Sequence, residues 1–371
     1  MTQPPASVHP SPLRYDASFE KPEADEADTI NALIDTFRKI QQTTLADYGR
    51  AVRGVHAKSH GLLRGELHVP DGLPPALAQG LFAKPGTYPV VLRLSTTPGD
   101  LLDDNVSTPR GLAVKVLGVQ GARLPGSEDD TTQDFVLVNG PAFLKPDLKS
   151  FLASMKLLAA TTDKAEALKK AASTLLQTAE KIIERAGGES ATLKSLGGQP
   201  ETHILGETFY SQAALLYGPY MAKVAVVPVS PGLTALTVAP LDLDGQPHGL
   251  RQAVARYFAT QAAQWEVRVQ LCTDREAMPI EDASVIWPED RSPYLTVARI
   301  EAPLQQAWSE ARAAGIDEGL SFSPWHGLAA HRPLGAIMRA RQAAYEASAA
   351  FRGRHNKRPV REPRTFDDLP D

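Results

Sequence analysis

The sequence contains a single cysteine, Cys272, in 371 residues. One cysteine excludes an intramolecular disulfide and a thiolate metal cluster, and it suits a reducing compartment. Aromatic residues are sparse, at 6%, and no apolar run approaches the roughly 18 residues that a membrane-spanning helix needs. The net charge of -4 gives no bulk attraction to nucleic acid or to an anionic membrane. Residues 1–12 are polar and proline-rich, with no apolar stretch of the signal-peptide type. Several motifs are missing as well: His-Glu-x-x-His, paired Cys/His ligand spacings, Gly-x-Ser-x-Gly, the phosphate-binding loop and the dinucleotide glycine fingerprint. Their absence removes the common zinc, serine-hydrolase, NTPase and Rossmann readings. What is present is an ordinary globular composition, 43% hydrophobic and 22% charged, long enough for a large core. The cytoplasm is the expected location.

Residues 1–27 hold prolines and a cluster of acids, and read as an extended arm that needs something to pack on. Over 28–48, Ile30, Leu33, Ile34, Phe37 and Ile40 recur at helical spacing. Alternation and turn residues then predict strands over 63–69, 89–95, 111–117 and 134–139, with a Gly/Asp/Pro-rich loop at 97–109. Helical periodicity is expected over 146–186, 249–264 and 303–314, and a second strand set over 223–229, 234–240 and 265–272. Short strands bounded by turns argue for an antiparallel barrel or sandwich rather than βαβ units. A final helix starts near Pro333, and residues 353–371 read as a solvated basic, proline-rich tail.

On that final helix Arg341 and Tyr345 lie four apart and share a face. A free phenol has a pKa of about 10 and is a poor metal ligand at neutral pH. A guanidinium beside it favours the phenolate, a hard anionic donor suited to ferric iron. Alone, such a pair is more often a half-buried tyrosine beside a solvated arginine. His56 sits in a Gly/Ser-bounded segment, between Arg53 and Lys58, rather than on an apolar stripe, where an imidazole can move a proton. His60, His68, His326 and His331 read as packing or surface residues.

Several segments together resemble the haem catalases. Val52-Arg53-Gly54-Val55-His56-Ala57-Lys58 resembles the family's distal Arg-Val-Val-His-Ala-Lys, and Leu92-Arg93-Leu94-Ser95-Thr96 its Arg-Phe-Ser-Thr strand. Arg110 to Lys115 resembles Arg-Gly-Phe-Ala-Leu-Lys, and Asp134 to Phe143 the Asp-Leu-Val-Gly-Asn-Asn-Thr-Pro-x-Phe segment. Phe322-Ser323-Pro324 precedes Arg341-x-x-x-Tyr345, with Arg352 beyond. The His331-Arg332-Pro333-Leu334-Gly335 run, with Ser321 to His326, resembles more closely the short catalase-related branch that includes allene oxide synthase-like proteins.

The resemblance implies an α+β fold: an antiparallel β-barrel with surrounding helices, over a haem-binding domain at 28–352. It implies haem b held by Tyr345 at the iron, with Arg341 beside it and Arg53, Arg93 and Arg352 on the propionates. His56 becomes the distal acid/base oriented by Ser95, with Val55 above the haem and Phe143 and Phe151 on the distal side. Ungapped alignment puts Val138 at the family's catalytic Asn, so Asn139 fills that role only through a local bulge. The implied function is a peroxidase or catalase acting on hydrogen peroxide and organic hydroperoxides through an oxoferryl intermediate, with a small organic reductant as a possible co-substrate. The alternatives are a fatty-acid hydroperoxide isomerase and a haem-binding or sensing barrel without enzyme activity. No nucleic-acid or membrane partner is expected, no NADPH site is recognisable, and the expected state is a monomer or small homo-oligomer.

Overall fold

Strand alternation organises the centre of the fold. In the computed structural model, which describes residues 11–161 and 200–369, nine strands form one antiparallel sheet. They are β1 (Lys58–Val69), β2 (Gly86–Thr96), β3 (Arg110–Val116), β4 (Gln133–Val138), β5 (Phe209–Tyr210), β6 (Leu215–Tyr217), β7 (Tyr220–Pro228), β8 (Ala263–Leu271) and β9 (Leu295–Ala302). Their order is β5-β4-β3-β2-β1-β9-β8-β7-β6, and β5 also pairs with β7. All strands except β6 therefore close into an eight-stranded barrel, and β6 folds back on β7 as a hairpin arm.

Successive side chains on a strand point to opposite faces, and β2 shows what each face is for. Leu92 and Leu94 join Leu112, Val114, Phe135, Leu137, Val224 and Val267 in the main core. The alternate residues Val91, Ala113 and Val136 belong to a second cluster with Ile316 and Phe322. Arg93 and Ser95 lie on that second face, in register with Ala113 and Gly111 of β3.

Among the described residues four longer helices cover the barrel: α1 (Glu26–Tyr48), α2 (Leu148–Thr161), α3 (Gly249–Phe258) and α4 (Ala336–His355). The apolar stripe of α1 buries Leu33 and Ile40, and the helix stops at Gly49, whose φ of 66° is left-handed. α1, α2 and α4 meet through Leu33, Leu148, Leu152, Ile337 and Met338. Between β9 and α4, a helical turn at Glu310–Arg312 runs into a π-helix at Ala313–Glu318. Among the described residues no helix is long and apolar enough to cross a membrane.

Several expectations change. Residues 234–240 are not a strand: Pro231–Thr234 is a helical turn, and Val238 has φ 49° and is 80% exposed. The helix expected over 249–264 ends at Phe258, and β8 begins at Ala263. The one expected over 303–314 is displaced to Glu310–Glu318, because Pro303 leaves the chain extended and Ser309 caps the turn by accepting from Arg312 N. β9 went unpredicted. Of the helix expected over 146–186, the part beyond Thr161 lies outside the described residues. The N-terminal arm does find a packing surface: Leu13 N donates to Cys272 O at 2.8 Å, and Glu20 pairs with Arg332 and Arg339.

The tail is not a solvated extension. Arg361 N donates to Gly319 O, Glu362 is paired with buried Lys115, and Arg64 Nη2 donates to Leu369 O. Leu369 is buried. Apolar anchors and one buried carboxylate outweigh the basic composition that suggested a free tail.

Candidate active site

The second face of β2 and β3 forms one wall of a partly open cavity. α1 contributes Phe37, the segment before β1 contributes Arg53 to His56, and α4 contributes Ala344, Tyr345, Ser348 and Arg352. Tyr345 lies on the α4 face turned toward the barrel, since its neighbour Ala344 is buried and Glu346 is exposed.

His56 sits on a non-regular segment with φ 50°, a conformation that non-glycine residues rarely adopt. Two glycines make its position possible. A Cβ at Gly111 would come within 2.7 Å of His56 Nδ1, and one at Gly99 within 2.5 Å of Gly54 O. Ala57 N donates to Pro98 O, and Gln41 Nε2 donates to Val52 O, so both flanks of the segment are tied down. Ser95 Oγ lies 3.3 Å from His56 Nδ1. That leaves Nε2 as the nitrogen free to exchange a proton. Enclosure by protein, then the charges of Arg93 and Arg341, push the imidazole down to about 3, so it is neutral near pH 7.

Arg341 lies beside Tyr345, its guanidinium carbon 5.9 Å from the ring centroid, and its Nη1 is 3.4 Å from Met338 Sδ. Helical spacing puts the two on one face, and the contact is with the ring of Tyr345.

Arg53, Arg93 and Arg352 converge on the π-helix from three separate elements. Arg93 Nε donates to Asp317 Oδ1 at 2.5 Å, and Arg53 Nη1 to the same oxygen at 3.1 Å. Arg352 Nη1 donates to Asp317 O at 2.7 Å, and Arg53 and Arg352 both donate to Leu320 O. Burial would raise the Asp317 carboxyl, but Arg93 and Arg53 outweigh it and hold it below its ordinary value. Burial lowers Arg53 well below the usual guanidinium value and Arg352 to about 10, and repulsion by Arg93 adds to both. Three guanidinium groups against one carboxylate leave two positive charges in excess. Arg352 also keeps a buried Nε–H without a partner among the described residues. Asp317, between Gly315 and Gly319, was not foreseen from the sequence.

Other expected residues fall elsewhere. β4 runs in unbroken register with β3, with Val138 opposite Gly111, so no bulge turns Asn139 inward. Asn139 Oδ1 accepts from Arg110 N at 2.9 Å, and Asn139 Nδ2 lies 3.5 Å from Glu207 Oε2. Asn139 is not at the cavity; Val136 and Leu137 are. Phe143 and Phe151 pack edge to face, centroids 5.0 Å apart, in the cluster shared by α1, α2 and α4. Phe37 of that cluster lines the cavity instead. Val55 lines it.

No protein-family model and no curated protein sequence matches the chain. Solved structures do. A fungal catalase aligns with TM-score 0.60 at 19% identity, covering 88% of this chain and 65% of that one. Catalase A from Saccharomyces cerevisiae aligns with TM-score 0.59 at 17% identity, covering 88% and 67%. A bacterial catalase aligns with TM-score 0.54 at 16% identity, covering 98% and 68%. This chain thus spans about two thirds of the length of each. The likeness defines the fold as catalase-like, an eight-stranded barrel with helices packed round it.

Proposed function

We propose that this chain is a haem-dependent oxidoreductase of the short catalase-related branch, consuming hydrogen peroxide and organic hydroperoxides. The observation that carries the reading is that His56 and Tyr345 line one cavity with an arginine cluster bearing two excess positive charges. Haem b carries two carboxylates, which balance that excess, and the Arg352 Nε–H, partnerless among the described residues, suits an added acceptor. When bound, haem supplies iron redox chemistry that no side chain can provide.

This chain's own residues do the rest. Tyr345 would hold the iron through its phenol oxygen, with the Arg341 guanidinium beside its ring. Arg53, Arg93 and Arg352 would hold the carboxylates. Neutral His56 accepts the proton of an incoming peroxide at Nε2 and returns it to the leaving oxygen, while Ser95 keeps the ring oriented through Nδ1. Phe37 and Val55 restrict water near the reacting oxygen. Val136 and Leu137 stand on the distal wall, and Asn139 points elsewhere. A wall without an amide favours alkyl hydroperoxides over dismutation of hydrogen peroxide, with a small organic reductant completing the cycle.

The test is reconstitution with haem, beside Tyr345→Phe, followed by turnover with hydrogen peroxide and with a bulky alkyl hydroperoxide. A tyrosinate-type ferric spectrum that collapses in the variant, with faster use of the alkyl hydroperoxide, is the expected result. Failure of the wild type to take up haem overturns the enzymatic reading and leaves a structural barrel. Exclusive use of hydrogen peroxide overturns the substrate preference.

A further inference from the structure

The arginines that line the cavity come from the segment before β1, from β2 and from α4, yet all three end on one short piece of chain. Ile316, Asp317, Glu318 and Leu320 offer backbone carbonyls to Arg53 and Arg352, and the Asp317 carboxylate binds Arg53 and Arg93. Asp317 and Glu318 lie in the last turn of the π-helix, where carbonyls lack an intrahelical partner, and such turns often mark functional sites. Asp317 lies behind the arginines and does not line the cavity. Its second oxygen accepts from Ser59 Oγ at 2.5 Å, and Ser59 Oγ in turn accepts from Trp308 Nε1 at 3.1 Å. Trp308 is itself stacked under Arg251, 3.7 Å from its guanidinium carbon. The carboxylate is therefore fixed on its far side by a chain of contacts that has no part in closing the barrel.

We propose that Asp317 is a positioning residue: it orders Arg53 and Arg93 from behind, so that their remaining N–H groups meet the carboxylates of a porphyrin entering the cavity. This rests on the haem reading above. Three guanidinium groups alone in a buried site would repel one another and splay. One carboxylate behind them removes a third of that charge and fixes their planes, and leaves an excess that two carboxylates neutralise. A supporting partner of this kind typically changes ligand affinity about 10–100-fold when removed.

The experiment is a titration of wild type and Asp317→Asn with iron protoporphyrin and with its dimethyl ester, which lacks the two carboxylates. The variant is expected to bind the diacid about tenfold more weakly and the ester as well as the wild type does. Equal weakening toward both porphyrins overturns the proposal, since that is the mark of a general structural role. Unchanged or tighter binding of the diacid also overturns it. Should Asp317→Asn fail to fold, Ser59→Ala loosens the same carboxylate and is expected to give a smaller loss with the same selectivity for the diacid; no selectivity overturns the proposal. If wild type binds neither porphyrin, the haem reading fails on its own. Succinate then decides Asp317: a Tm rise in wild type that Asp317→Asn lacks supports positioning of a carboxylate site, and no difference overturns it.

Discussion

Two buried charge clusters approach the same aromatic ring. Arg53 stands 6.0 Å from the centroid of Phe322, and Lys115 stands 5.4 Å from it. Around Lys115 the charges cancel. Its ammonium meets both oxygens of Asp134 at 2.8 Å and also Glu362, and His326 Nδ1 lies 3.4 Å from Asp134 and 3.2 Å from Glu362. Burial lowers the His326 imidazole, but Asp134 and Glu362 outweigh it and raise it to about 9, so two cations face two anions. Asp134, His326 and Glu362 have ligand atoms within 4.8 Å of one another, but the Lys115 ammonium already serves as the cation for the two carboxylates. Around Arg53, Arg93 and Arg352 the charges do not cancel, and that cluster borders a cavity. A buried network that balances itself ties chain to chain, whereas one left with excess charge beside a void is shaped for a ligand.

The largest contrast is expected from truncating one cation in each cluster. Lys115→Ala strands Asp134 and Glu362 together in the interior and is expected to cost about 3–5 kcal/mol of unfolding free energy in urea. Arg352→Ala removes one of three mutually repelling cations, so it is expected to destabilise the cofactor-free chain less than Lys115→Ala. An equal loss for both would erase the distinction. Next in size is Gly111→Ala, whose methyl meets His56 Nδ1. It is expected to leave the fold intact and to reduce peroxide turnover of the reconstituted protein about 100-fold, as displacement of a reacting group by about 1 Å does.

The smallest effect sharpens the comparison through pH. His326 holds its proton in the folded chain up to about 9, against about 6.5 when unfolded. Its stabilisation is full below about 6.5 and is lost as pH rises through about 9. His56 behaves oppositely: the folded chain keeps it neutral down to about 3, so its contribution is full above about 6.5 and declines as pH falls toward 3. Unfolding midpoints of His326→Gln and His56→Gln across pH should therefore diverge from wild type at opposite ends of the range. Divergence at the same end would contradict the assignment.

Local chemistry was legible in the sequence where motif and period agreed. Arg93 and Ser95 on one strand face, His56 two residues past Gly54, and Tyr345 four residues past Arg341 were all readable, and His56, Arg93, Ser95 and Tyr345 line one cavity. Barrel closure was not readable, because β5 is two residues long and carries no periodic signal. β9 was missed because Arg299 and Glu301 point outward in it and mask its buried Val297, Ala298 and Ile300. Asp317 escaped because its meaning depends on arginines 264 and 224 residues away in sequence. The position of Asn139 turned on one residue of register, which only the pairing of Val138 with Gly111 decides.

The barrel is closed by its shortest stave. β5 joins β4 through the single pair Val138 and Tyr210, and joins β7 through two pairs, Phe209 with Val226 and Tyr210 with Ala225. β1 and β2, by contrast, are matched along their whole length. So short a seam, flanking the strand that carries Val136 and Leu137, is where the cylinder parts with least disruption. Amide protons of Phe209 and Tyr210 should exchange with solvent ahead of those in β2 and β3, making this seam the first part of the cylinder to loosen.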